Sequence, residues 1–157
     1  MIYNLALTLA NEYSFLNVFK YITFRASASF ATAMIICFIT GPFIINILKR
    51  KQKKGQPIRE DGPEWQIEAK KGTPTMGGTL ILFSLIVSTL LWTDISNIFI
   101  WLLIFITVGF GLIGFIDDYL KLSKNSHKGL PGKIKLFLQI VFSFLFSFLL
   151  FYYSNED

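Results

Sequence analysis

Gly114-Phe115-Ile116-Asp117-Asp118-Tyr119-Leu120-Lys121 closes an apolar run that begins at Ile98 and carries no charge before Asp117. Two adjacent carboxylates therefore stand where a segment long enough to cross a bilayer meets water. Burying an ionised acid costs several kcal/mol unless a cation or donor compensates, so such a pair is a functional candidate. The run that precedes it decides the fold class, an all-α integral membrane protein.

Composition agrees. The 157 residues are 53% apolar and 17% aromatic, with a mean hydropathy of +0.53, too hydrophobic for an ordinary soluble domain. The lone Cys37 lies in an apolar run and the lone His127 in a polar loop. Neither a disulfide framework nor a Cys/His zinc site can be built within the chain, and any metal must be held by oxygen. The partners expected include membrane lipid and no nucleic acid.

Outward from the aspartates, the pattern predicts four spans: residues 26–48, 73–92, 98–116 and 134–153. Each approaches the length needed for a hydrocarbon core of about 30 Å. Gly41-Pro42 should kink the first. Residues 1–21 are interrupted by Asn4, Asn11, Glu12, Asn17 and Lys20; Phe15, Val18, Phe19 and Ile22 fall at helical spacing, which suits a helix lying at the interface. A signal peptide ending near Ala26-Ser27-Ala28 is the competing reading, but the start lacks positive charge and apolar chain continues immediately.

The polar loops 49–72 and 117–133, with Lys135 just beyond, hold 13 of the 15 Lys and Arg, so the positive-inside rule places both in the cytoplasm. The N-terminus and the tail after residue 153 are then outside. On this reading Thr73 caps the second span and Pro74 is its first helical residue, turning unpaired N–H groups toward the cytosol and any anion there. The third span leaves on the same side, its negative end meeting Asp117 and Asp118 and adding to their attraction for a cation.

Adjacent helical positions point about 100° apart, so both carboxylates hold one metal only if the helix frays, and otherwise they divide the roles. Magnesium takes one or two carboxylates with waters and phosphate oxygens, which matches the supply. The plain alternative is a solvated acidic helix end paired with Lys121 or Lys124.

Further strings narrow the reading. Arg59-Glu60-Asp61-Gly62-Pro63, then Lys70-Lys71-Gly72-Thr73-Pro74-Thr75-Met76-Gly77-Gly78, the aspartate string, and Lys128-Gly129-Leu130 with Lys135 and Gln139 closely resemble the N-terminal part of the phospho-N-acetylmuramoyl-pentapeptide-transferase (MraY) family. That family lies within the polyprenyl-phosphate N-acetylhexosamine-1-phosphate transferases. The Asp-Asp pair is shared across the superfamily; the Thr-Pro-Thr-Met-Gly-Gly string is more specific to the muramoyl-pentapeptide branch.

The resemblance implies transfer of phospho-MurNAc-pentapeptide from UDP-MurNAc-pentapeptide to undecaprenyl phosphate, giving lipid I and UMP. It places that reaction at the inner face of the bacterial cytoplasmic membrane, in peptidoglycan synthesis, with Mg2+ as cofactor. Asp118 is then chiefly the magnesium ligand and Asp117 orients or deprotonates the lipid phosphate, though the two could exchange; a covalent aspartyl-phosphate route would make one of them a nucleophile. The acceptor phosphate is already largely ionised at neutral pH, its second pKa being about 6, so alignment and charge neutralisation matter more than a strong base. Lys70, Thr75 and Lys121, with Lys133 and Lys135 behind them, are candidates for contacting nucleotide and phosphates; as a plainer role, the lysines hold the loops inside. Gly77 and Gly78 either bring substrate to the backbone or let helices pack, and Gln139 is either a ligand or a polar contact between helices.

The family is expected to form a bundle of about ten membrane helices, so the chain reads as its first part or as a truncated product inactive alone, with homodimerisation an open arrangement. Trp65-Gln66 replaces the Ser-His pair of many members, so no role of that histidine carries over. Two alternatives stand beside this reading: a transferase using UDP-GlcNAc, and a non-enzymatic divalent-cation transport or scaffold protein. Transport should place ionisable groups within the spans, yet after Arg25 they hold none before their cytoplasmic ends.

Overall fold

The computed structural model describes residues 2–10, 13–52, 55, 65, 73–124 and 129–155. Among them there are helices and no strands. Helix α1 (Ile2–Leu9) and a short 3-10 turn (Ser14–Lys20) lead into α2 (Ile22–Lys51), α3 (Gly78–Trp92), α4 (Ile98–Ser123) and α5 (Gly132–Ser154). Three of these, α2, α4 and α5, are long and apolar enough to cross a membrane.

The remaining apolar helix is shorter than its sequence suggests. Residues 73–92 read as one span, but only Gly78–Trp92, 15 residues, are helical, or about 22 Å at 1.5 Å per residue. The expected Thr73 cap and Pro74 first turn are not there. Met76 turns left-handed at φ 71°, which a non-glycine side chain adopts only under constraint and which interrupts any helix running from Pro74. The helix consequently begins after Gly77.

The other spans are longer than expected. Helix α4 runs through to Ser123 with Lys124 as its C-cap, so Asp117 and Asp118 sit inside regular helix instead of at a fraying end. The negative pole lies beyond them, and its influence fades within the last turn. Asn97 starts this helix by accepting a hydrogen bond from the Phe99 N–H at 2.8 Å.

Helix α2 packs most extensively on α3, and α5 on α4, with α3 and α4 joining the two pairs. Small residues make the α2–α3 seam: Ser84 and Ser88 are buried, Ser84 Oγ lies 3.0 Å from Cys37 Sγ, and Trp92 Nε1 donates to Thr32 Oγ1 at 2.9 Å. A side chain on Gly109 would overlap the Phe142 ring, and one on Gly111 would overlap Leu82; those glycines set how closely α4 approaches its neighbours. Gly77 and Gly78 face open space, so the packing role considered for them falls to Gly109 and Gly111. At the far end Phe19 belongs to the 3-10 turn, not an amphipathic α-helix, and stacks on Trp92 with centroids 5.8 Å apart.

Large apolar side chains stay exposed along whole faces, including Phe30, Phe38 and Phe43 of α2 and Phe137, Phe144 and Phe151 of α5. In water such faces would not persist; in a bilayer they meet lipid or further helices.

Candidate active site

The C-terminal ends of α2 and α4 and the starts of α3 and α5 gather at one end of the bundle, around Asp117 and Asp118. Gln52, the C-cap of α2, begins the construction. Its side-chain amide grips the backbone of Thr75 from both sides, Oε1 accepting the Thr75 N–H at 2.9 Å and Nε2 donating to the Thr75 carbonyl at 3.3 Å. Thr75 held in this way donates its hydroxyl to Asp118 Oδ2 at 2.7 Å, and the Met76 N–H donates to the same oxygen at 3.3 Å. The left-handed turn at Met76 thus aims backbone at the carboxylate.

Asp117 is anchored differently. It is buried, at 8% exposure, and its Oδ1 accepts the Leu130 N–H at 2.8 Å. Gly129 lies so close that a Cβ there would overlap Asp117 Oδ1. The loop before α5 is therefore moulded onto this carboxylate, and the glycine is what permits it.

Between the two acids lies Lys121. Its Nζ is 2.6 Å from Asp117 Oδ2 and 3.2 Å from Asp118 Oδ1. The spacings of four and three residues put both acids and the lysine on one helical face. Lys135, from the first turn of α5, adds a second ammonium 3.8 Å from Asp117 Oδ2. The picture of a solvated acidic end is accordingly replaced by a partly buried, cation-bridged pair, in which Lys121 is the partner and Lys124 is the helix cap.

Of the residues singled out from sequence, Asp117, Asp118, Thr75, Lys121 and Lys135 come together. Lys133 does not: it is exposed on α5 and makes no ion pair with a described residue. Lys70, and the Trp65-Gln66 departure at Gln66, lie outside the described residues. Gln52 was missed, because nothing in a Gln after a basic run marks it as a clamp; the Leu130 N–H was missed because a backbone donor leaves no trace in residue type.

The acids open on a cavity of about 380 Å³ between α3 and α4, walled by Gly78, Gly111, Gly114, Phe115 and Lys135. Beyond Met76 and Phe115, which line both spaces, an apolar groove of about 710 Å³ runs between α2 and α4, with Lys51 and Gln52 at its polar end.

Among the described residues no cluster of three or more His, Cys, Asp or Glu exists that could cage a metal. Two carboxylates remain. They suit magnesium, which needs only one or two alongside waters and phosphate oxygens, and they are poor for a zinc-like ion that seeks nitrogen or sulfur. All four carboxylate oxygens already accept from Lys121, Thr75, Met76 or Leu130; Asp118 Oδ2 accepts twice, the other three each keep a second lone pair, and Lys121 occupies the space between them that a divalent ion would contest.

A family model described as phospho-N-acetylmuramoyl-pentapeptide-transferase signature 1 matches residues 70–82, the stretch that holds Thr75 and the left-handed turn. The chain is 55% identical over 141 residues to the phospho-N-acetylmuramoyl-pentapeptide-transferase of Granulibacter bethesdensis, covering 90% of this chain and 39% of that relative. The enzymes of the same name from Dinoroseobacter shibae and Syntrophus aciditrophicus are 57% identical over 120 residues and 48% identical over 151, with 33% and 42% of their lengths covered. The chain thus spans roughly two-fifths or less of the curated relatives it matches. Within that span, the chain carries the first signature of the phospho-N-acetylmuramoyl-pentapeptide-transferases and is similar to the N-terminal part of those enzymes.

Proposed function

We propose that this chain supplies the Asp-Asp and lysine portion of a site that transfers phospho-MurNAc-pentapeptide from UDP-MurNAc-pentapeptide to undecaprenyl phosphate, yielding lipid I and UMP. The observation that carries the reading is the Asp117–Lys121–Asp118 cluster, tethered by Thr75 and Leu130 and opening on a largely apolar cavity between helices. In-line phosphoryl transfer asks for alignment and neutralisation of charge in a site partly shielded from water. Lys121 and Lys135 supply cations, and the fixed carboxylates orient them.

At about 380 Å³ the cavity accommodates a diphosphate and adjoining atoms; the nucleotide and pentapeptide must extend beyond it. The apolar groove past Met76 and Phe115 matches the chemistry of a prenyl tail. Asp118 and Asp117 would hold Mg2+, with Lys121 released toward phosphate. Magnesium, when bound, would neutralise the diphosphate of the donor. Asp118 would be chiefly the metal's ligand, and Asp117, through the Lys121 and Lys135 ammoniums it holds, would orient the acceptor's phosphate, whose second pKa near 6 leaves it largely ionised; the two acids could exchange these roles.

The basic ends of α2 and α5 lie at the same end of the bundle as the aspartates, which supports a cytoplasmic site in a multi-pass inner-membrane protein. The expected bundle of about ten helices follows from the family alone. The signature over residues 70–82 favours the muramoyl-pentapeptide donor over UDP-GlcNAc.

The test joins this chain to the remaining length of the Granulibacter bethesdensis relative and measures Mg2+-dependent UMP release, beside the 157-residue chain alone. Release from the joined protein is expected, with Asp117→Asn and Asp118→Asn each lowering it at least about a hundredfold without loss of membrane insertion. Normal turnover in both variants would refute the assignment, and release with UDP-GlcNAc in place of the muramoyl donor would move it to the alternative sugar.

A further inference from the structure

At the opposite end of the bundle, the N-terminal end of α2 and the turn after α3 enclose a second polar space of about 460 Å³. Its walls include Tyr3, Arg25, Ser29, Trp92, Asp94 and Asn97. Arg25 is the one charged residue of the first apolar helix away from its basic end, and a charge at that depth normally has a partner. Here it has an aromatic one: its guanidinium lies 4.2 Å above the Tyr3 ring. Its Nε is buried and has no hydrogen-bond acceptor among the described residues.

Asp94 lines the same cavity but forms no ion pair with Arg25 or with another described cation. One of its oxygens, Oδ1, accepts the Ser96 N–H at 3.1 Å. The cavity thus holds one cation and one anion that are not satisfied by each other. A simple anion would satisfy Arg25 and be repelled by Asp94; a simple cation would meet the reverse. A ligand with both charges answers both. Trp92, Trp101 and Tyr21 cluster near this end of the helices, the residue types that sit at headgroup level.

We infer that this cavity binds the headgroup of a zwitterionic phospholipid with a primary ammonium, phosphatidylethanolamine, its phosphate on Arg25 and its ammonium on Asp94. The planar guanidinium can present its two Nη groups together, a fork suited to phosphate oxygens. The site is remote from Asp117 and Asp118 and independent of the transferase reading. Its occupancy ties α2 to the turn between α3 and α4.

The test is native mass spectrometry of the detergent-purified 157-residue chain after incubation with phosphatidylethanolamine, with phosphatidylglycerol of the same acyl chains, or with inorganic phosphate. Phosphatidylethanolamine should be retained about fivefold better than phosphatidylglycerol, the scale of one partly exposed ion pair. Asp94→Asn keeps the Oδ1 that accepts from Ser96 and should abolish that preference while leaving phosphatidylglycerol binding in place. Arg25→Gln should weaken both lipids, and Arg25→Lys, which keeps the charge and loses the fork, should fall between. Equal retention of the two lipids by the unaltered chain, a preference that survives Asp94→Asn, or saturation by inorganic phosphate alone would each overturn the inference. Because lipid retention is read instead of UMP release, failure here is separate from failure of the transferase reading.

Discussion

Lys121 places its ammonium 2.6 Å from the buried carboxylate of Asp117, one helical turn earlier on the same face. Since Lys121 also reaches Asp118, this single side chain holds two neighbouring negative charges together before any substrate arrives. A divalent ion entering the pair must displace it. Lys121→Gln should therefore lower the Mg2+ concentration giving half-maximal UMP release in the joined protein, while lowering maximal turnover by about tenfold to a hundredfold as a phosphate-facing cation is lost. A raised magnesium requirement would mean that Lys121 does not compete with the metal.

Gly129 offers a sharper probe of Asp117. A methyl group there would overlap Asp117 Oδ1 and approach the Lys121 stem within 2.9 Å, so Gly129→Ala must push the loop off the carboxylate and break the Leu130 hydrogen bond. No charge changes. Misplacing a reacting group by about 1 Å can cost about a hundredfold, and turnover should fall on that scale with the magnesium requirement altered as well. Unchanged kinetics would show that the position of Asp117 is unimportant to transfer.

Gln52 acts one step further away, through Thr75. Gln52→Ala removes both bonds to the Thr75 backbone and should free Thr75 Oγ1 from Asp118, lowering turnover about tenfold, the scale of one or two net hydrogen bonds. Gln52→Glu keeps an acceptor for the Thr75 N–H and should recover part of the loss. Thr75→Ser, which retains the hydroxyl, should remain active where Thr75→Val does not. Equal activity in Ala and Glu variants would reduce Gln52 to a loop tether without influence on Asp118.

Much of this was legible in the chain because charge and hydropathy are written residue by residue. The apolar runs located α2, α4 and α5, and the basic residues marked the end at which the aspartates lie. What escaped was backbone. Nothing in Thr73-Pro74-Thr75-Met76 announces that Met76 will turn left-handed, since that conformation is enforced by Asp118 and Gln52 from other helices. The helix therefore begins four residues later than the Thr-Pro signal suggests. The reach of α4 past Asp118 to Ser123 was also hidden, because Tyr119, Leu120 and Lys121 suit a helix and a loop alike until the Lys121 bridge is seen. Lys133 and Lys135 look equivalent in sequence; one residue of separation on α5 turns one to Asp117 and leaves the other in solvent.

Glycines within and before the helices divide by what stands opposite them, and stability should divide the same way. Gly111 faces Leu82 so closely that a Cβ would overlap its side chain, whereas Gly78 faces open space on the wall of the site cavity. Overpacking a tight helix contact costs about 1–3 kcal/mol. Replacing an unneeded helical glycine by alanine instead gains up to about 1 kcal/mol. In detergent, Gly111→Ala should thus lower the midpoint of thermal unfolding and Gly78→Ala should hold or raise it. Turnover should reverse the order of concern: Gly78→Ala narrows the space beside Asp117 and Asp118 and should raise the KM for the donor, while Gly111→Ala, where it remains folded, loses stability first. A destabilising Gly78→Ala would mean that this glycine serves the α3–α4 packing after all, and that the cavity is narrower than its walls indicate.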